Sequence, residues 1–240
     1  MNGPARDQTE QGPGFFRASW LVAAKDLRME WRTLERLAAM VLFALVVLVI
    51  FNFAFDLATV RQVGTSKLVP GVLWITITFS GIIGFTRSFQ LEHRRDSLLG
   101  LMLAPAGASA IFVGKATANL TTIWVLEIVI LPLSAVFFNY DLIGMAGPMA
   151  LVIGLHTIGL AELGTLFAAM ATRLGRGEAL LATLLLPAAT PLFLSAVRCT
   201  EAVLGEKPLA SVSHWLLVAS GLNLLYLLVA LLTFDYVLEE

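Results

Sequence analysis

From residue 37 onward, long apolar runs alternate with short islands that hold most of the charge. A run of about 20 residues coiled as a helix matches a hydrocarbon core about 30 Å thick, and lipid admits only helices and closed barrels. Six runs qualify, at 37–55, 69–86, 116–138, 144–171, 179–198 and 214–235. Pro70-Gly71 opens the second run, since a first helical turn tolerates proline. Asn139–Asp141 supplies a short turn between the third and fourth, and Pro187 and Pro191 interrupt the fifth. The pattern predicts an all-α membrane protein with six transmembrane helices.

The first 36 residues follow other patterns. Residues 1–14 are polar and rich in Pro and Gly, and read as a disordered tail without the features of a cleavable signal peptide. Over 15–36, Phe16, Trp20, Ala24, Leu27, Trp31 and Leu34 recur at helical spacing. At about 100° per residue these six fall between 0° and about 80°, measured from Phe16. Lys25, Arg28, Arg32 and Arg36 fall between about 120° and about 200° on the same wheel. A tryptophan-bearing apolar stripe beside a basic one predicts an amphipathic helix in the membrane interface. Residues 15–240 then form a single transmembrane domain.

Composition agrees, at 58% hydrophobic and 14% charged residues, where a soluble domain carries about a quarter charged. The formal net charge of −1, with no basic domain or tail, gives no sign of a nucleic-acid partner. Cys199 is the only cysteine, which excludes an intrachain disulfide and a cysteine-only metal cluster. With the N-terminus inside, six spans put twelve of the 16 Lys and Arg residues on the inner side. Arg61, Lys67, Arg198 and Lys207 are left outside. The positive-inside rule therefore places both termini in the cytoplasm.

The stretch 87–115, inner by this topology, is long for a loop and not loop-like. Glu92, Arg94, Arg95 and Asp96 lead into Leu98, Leu99, Leu101, Met102 and Leu103 before Pro105 stops the run. A charged, then apolar helix between two spans reads either as a simple connector or as a coupling helix that docks in a groove of a soluble partner.

This stretch also carries a family resemblance. Arg87-Ser88-Phe89, the charged cluster, Ser97-Leu98, Leu101-Met102-Leu103-Ala104-Pro105 and Gly114-Lys115 resemble the CcmB family. The likeness continues through Pro70-Gly71-Val72-Leu73-Trp74, Arg176-Gly177, Ala179-Leu180-Leu181, Leu186-Pro187 and Pro191-Leu192, covering about 16–236. Leu99 departs from the pattern, standing where that family usually has glutamate. The resemblance implies an ABC-2 exporter-type permease in the bacterial inner membrane. It implies a homodimer working with a CcmA-type ATPase, CcmC-type and CcmD-type haem-handling subunits and a periplasmic haem chaperone. It also implies haem as the handled ligand and ATP hydrolysis in the partner chain. Glu92, Arg94, Arg95, Asp96 and Leu98 are the candidate ATPase-coupling residues.

Catalytic chemistry has no foothold in the sequence. The nearest P-loop lookalike, Gly107 through Gly114-Lys115, has six residues between its glycines instead of four, and Ala116 follows where Ser or Thr would hold Mg²⁺. His93, His156 and His214 show no metal-ligand spacing. Ionisable groups inside a membrane call for partners. Glu127 lies about 16 Å and His156 about 18 Å from the outer ends of adjacent antiparallel spans, which predicts a Glu127–His156 pair, structural or on a substrate path. Pro187 and Pro191 read either as a packing kink or as a hinge. Two rival readings stand beside the resemblance. One is an ABC-2 permease for lipid, polysaccharide or drug; the other is a membrane haem-attaching enzyme.

Overall fold

A computed structural model describes residues 14–55, 62–93, 107–174 and 177–239. Among them the chain forms seven α-helices: α1 (Phe15–Thr33), α2 (Glu35–Ala54), α3 (Thr65–His93), α4 (Ala108–Phe138), α5 (Ala146–Arg173), α6 (Gly177–Leu204) and α7 (Ser213–Glu239). A short 3-10 turn, Leu209–Val212, precedes α7. Helices α2 to α7 are each long and apolar enough to cross a membrane, so the chain is an all-α, multi-pass membrane protein. Six crossings return the chain to the end of the bundle that carries α1, here the proximal end.

Several helices overrun the predicted spans. α3 continues to His93 and α4 begins at Ala108, so most of the two flanks of 87–115 are helical extensions of spans two and three. Hydropathy marks where the hydrocarbon ends, whereas backbone hydrogen bonding carries a helix on into the headgroup layer. At 31 residues α4 is about 46 Å long, well beyond a hydrocarbon core of about 30 Å. Pro70 accordingly lies inside α3 and does not open it.

α3 and α5 are the most enclosed spans, while α2 and α7 show most of their surface to the surroundings. Leu73, Ile77, Phe85, Leu126, Leu160 and Leu185 form part of the common core. Threonines within the spans meet their own helices: Thr76, Thr78, Thr86, Thr165 and Thr200 each donate to the carbonyl four residues earlier. That local bond lets a hydroxyl sit in an apolar interior. Pro187 and Pro191 both lie inside the continuous α6, and the Tyr226 hydroxyl of α7 donates to the Ala188 carbonyl beside them at 2.9 Å.

α1 meets α2 at one residue. Leu34 adopts the left-handed conformation, with φ of 54°, and closes α1 by donating its N–H to the Glu30 carbonyl at 2.8 Å. For a leucine this conformation costs about 1–2 kcal/mol, so the surroundings must impose it. Glu30 does so from the other side of the bend. Its carboxylate accepts the Leu37 N–H of the first turn of α2 at 2.9 Å and pairs with Arg36 at 2.8 Å. Leu34→Asn, which keeps the left-handed conformation accessible, should leave thermal unfolding in detergent within about 1 kcal/mol of wild type. Leu34→Pro cannot reach a positive φ and loses the N–H, and should destabilise the chain by about 3 kcal/mol or more in the same measurement.

Candidate functional site

The densest polar cluster among the described residues lies at the proximal end, where α1 crosses α4. The face of α1 turned to the bundle holds Ser19, Ala23, Asp26 and Glu30, all buried, at about 280° to 340° on the wheel used above. The apolar stripe points outward instead, with Phe16, Trp20 and Trp31 exposed. The helix thus has three faces. A soluble amphipathic helix buries its apolar stripe; here that stripe is exposed, and a small, acidic face packs on protein.

Gly114 makes this packing close. A Cβ there would stand 2.6 Å from the Ser19 carbonyl oxygen and 2.7 Å from Val22 Cβ, so the α4 backbone packs directly on the backbone and a side chain of α1. The next residue, Lys115, is 1% exposed, and its Nζ lies 3.2 Å from Asp26 Oδ2. Nζ also stands 4.6 Å over the Phe89 ring of α3, a cation–π contact strengthened by desolvation. Gly114-Lys115, the P-loop lookalike of the sequence, is therefore a helix-docking element. Phe89 and Lys115 flank residues 94–106, so the two roots of that connector meet at one ammonium group. Arg87, two residues before Phe89, donates to the Glu35 carbonyl at 3.4 Å.

Arg36 extends the cluster inward. Besides Glu30, it donates to Asn119 Oδ1 at 3.0 Å and to Thr122 Oγ1 at 2.6 Å, both on α4. Asn119 passes the chain of bonds on, its Nδ2 donating to Thr165 Oγ1 of α5 at 2.9 Å. Asp26, Glu30, Arg36 and Lys115 are all buried, two acids against two bases. Lys25 adds an ion pair to Asp26 at 3.2 Å from the half-exposed rim. In a low dielectric such charges persist only when each has partners.

A second node lies deeper. His156 of α5 is fully buried; its Nδ1 lies 2.7 Å from the Val152 carbonyl and its Nε2 2.9 Å from Ser195 Oγ of α6. Ser195 Oγ in turn lies 2.7 Å from the Trp215 carbonyl of α7. Trp74 of α3 meets the imidazole edge-on, with centroids 5.6 Å apart, and donates Nε1–H to Thr200 Oγ1 at 3.0 Å. Three helices meet at this imidazole, and α7 joins them through Ser195.

The predicted Glu127–His156 pair is not formed. Glu127 instead accepts a hydrogen bond from Thr157, one residue on from the histidine. Matching depths bring the two residues to one level, but a step of about 100° per residue turns Thr157, not His156, toward α4. Arg36, predicted as part of the basic stripe of the interfacial helix, is buried beyond the bend and belongs to the charge cluster. Glu92 falls in the last turn of α3, and Arg94, Arg95, Asp96 and Leu98 lie outside the described residues. Among the described residues no group of three or more His, Cys, Asp or Glu is placed to hold a metal ion. Asp26, Glu30 and Asn119 were not singled out from sequence. The available signals were an acid pair one turn apart on α1 and an asparagine inside an apolar run.

Lys115→Met should cost about 3 kcal/mol in thermal unfolding of the detergent-purified chain, because it removes the buried partner of Asp26 and leaves only Lys25 at the rim. Adding Asp26→Asn should recover part of that loss, with a coupling of at least about 1 kcal/mol. For the deeper groups, Glu127→Gln and Thr157→Val should couple more strongly with each other than Glu127→Gln does with His156→Ala, measured by the same double-mutant cycles.

Comparison with known proteins accounts for this architecture. The family model described as CcmB protein matches residues 17–239, from the first turn of α1 to the end of α7. A protein of Bradyrhizobium diazoefficiens named heme exporter protein B is 29% identical over 182 residues, covering 75% of this chain and 79% of that protein. One of the same name from Paracoccus denitrificans is 30% identical over 172 residues, covering 70% and 75%. A match spanning all seven helices is decisive: the chain belongs to the CcmB family.

Proposed function

We propose that this chain is the membrane permease subunit of an ABC-type transporter complex for cytochrome c maturation. In this reading the complex exports haem, or uses ATP to release a haem-loaded periplasmic chaperone. The observation that carries it is the position of Lys115, between Phe89 and Asp26 and at the roots of the 94–106 connector. A push on that connector reaches α3 and α4 directly, and α1 through the buried ion pair. Arg36 and Asn119 would carry it on to α2 and α5.

A CcmA-type ATPase supplies the push, gripping Glu92, Arg94, Arg95, Asp96 and Leu98 from the cytoplasm. The twelve-to-four distribution of Lys and Arg supports that sidedness. CcmC-type and CcmD-type subunits and a haem chaperone complete the assembly in the bacterial inner membrane, with two copies of this chain. This chain transports and leaves nucleotide chemistry to the ATPase. The proline pair of α6 is the hinge of the cycle, braced in this conformation by Tyr226.

Replacing Arg94 and Arg95 by Glu should abolish co-purification of the ATPase in mild detergent; undiminished association would refute the docking assignment. Deleting the chain should eliminate covalent haem in c-type cytochromes, seen by haem staining. Intact cytochromes with loss of a lipid or polysaccharide phenotype would instead favour another cargo.

A further inference from the structure

We infer that the outward basic face of α1 binds the headgroups of anionic phospholipids. Arg17, Arg28 and Arg32 are all exposed and have no partner among the described residues. They lie at about 100° to 160° on the wheel of α1, roughly opposite the buried face that holds Asp26 and Glu30. Both acids of the helix are therefore turned into the bundle, and the outward face keeps only positive charge.

The neighbouring face fixes the depth of this charge. Trp20 and Trp31 are 66% and 57% exposed, and Phe16 is 86% exposed, on the stripe between the buried and basic faces. Exposed tryptophans on a helix joined directly to a membrane span belong at the headgroup level. With that stripe in the interface and the acidic face against α4, the basic face points sideways into the ring of lipids around the protein. Arg28 and Arg32 stand one turn apart and line a shallow surface groove with Leu21, Ala24 and Met29. Two guanidinium groups at that spacing can share one phosphodiester, with the apolar side chains against the glycerol region. Charge complementarity commits the surface to an anionic lipid, because a zwitterionic headgroup brings its own cation into the same space.

The test uses the full chain purified in mild detergent and titrated with phosphatidylglycerol or phosphatidylcholine, with adducts counted by native mass spectrometry. Wild type should retain phosphatidylglycerol selectively. Arg28→Gln/Arg32→Gln should weaken that binding about tenfold or more, while Arg28→Lys/Arg32→Lys should keep most of it. Both variants should elute and unfold as wild type, since among the described residues these two side chains have no hydrogen-bond or ion-pair partner. Excess inorganic phosphate should not displace the lipid. Equal retention of phosphatidylcholine, unchanged binding by the Gln variant, or full displacement by phosphate would each overturn the inference.

Discussion

The carboxylate of Glu30 is the joint on which the proximal half of the molecule turns. One oxygen accepts the Leu37 N–H, the other pairs with Arg36, and the residue's own carbonyl accepts the Leu34 N–H. Three contacts around one residue hold a leucine in a conformation it would otherwise avoid, and so set the angle between α1 and the first spanning helix. Arg36, fixed by that pair, can then reach two side chains of α4. Without Glu30, Arg36 would be a buried charge short of a partner, and the first turn of α2 would lose a donor's partner in a place water reaches poorly.

Polar groups in the rest of the bundle fall into two kinds. Most threonines are satisfied within their own helix and leave neighbouring helices free to slide. A smaller set ties helices together, among them Asn119 to Thr165, Thr157 to Glu127, Trp74 to Thr200, His156 to Ser195, and Tyr226 to the Ala188 carbonyl. In lipid the hydrophobic effect gives little preference for one helix partner over another, so this small set and close packing decide the arrangement.

Much of this was legible in the sequence. Six apolar runs gave six spans, because the demand that lipid makes on length and hydropathy is severe and local. The bend at residues 34–35 fell within two residues of the predicted end of the interfacial segment. The third face of α1 was missed because its signal is relational: Asp26 and Glu30 look like ordinary surface acids until Lys115, 89 residues further on, and Arg36 are placed against them. The Glu127–His156 prediction failed for a related reason, since depth follows from counting residues but facing depends on helix rotation. The ends of α3 and α4 were hidden because helices outlast the hydrocarbon that hydropathy detects.

The balance of the buried cluster has an electrical consequence. Asp26 and Glu30 belong to α1, whereas Arg36 and Lys115 belong to α2 and α4. Together these four carry no net charge, so moving them as one body through the membrane field does almost no work against the voltage. Pulling α1 away from α2 and α4 would move two negative charges relative to two positive ones. Each charge carried across the full field is worth about 2.3 kcal/mol per 100 mV. While docked, these four charges are together indifferent to membrane potential; drawn apart, the acidic pair and the basic pair would feel it in opposite senses.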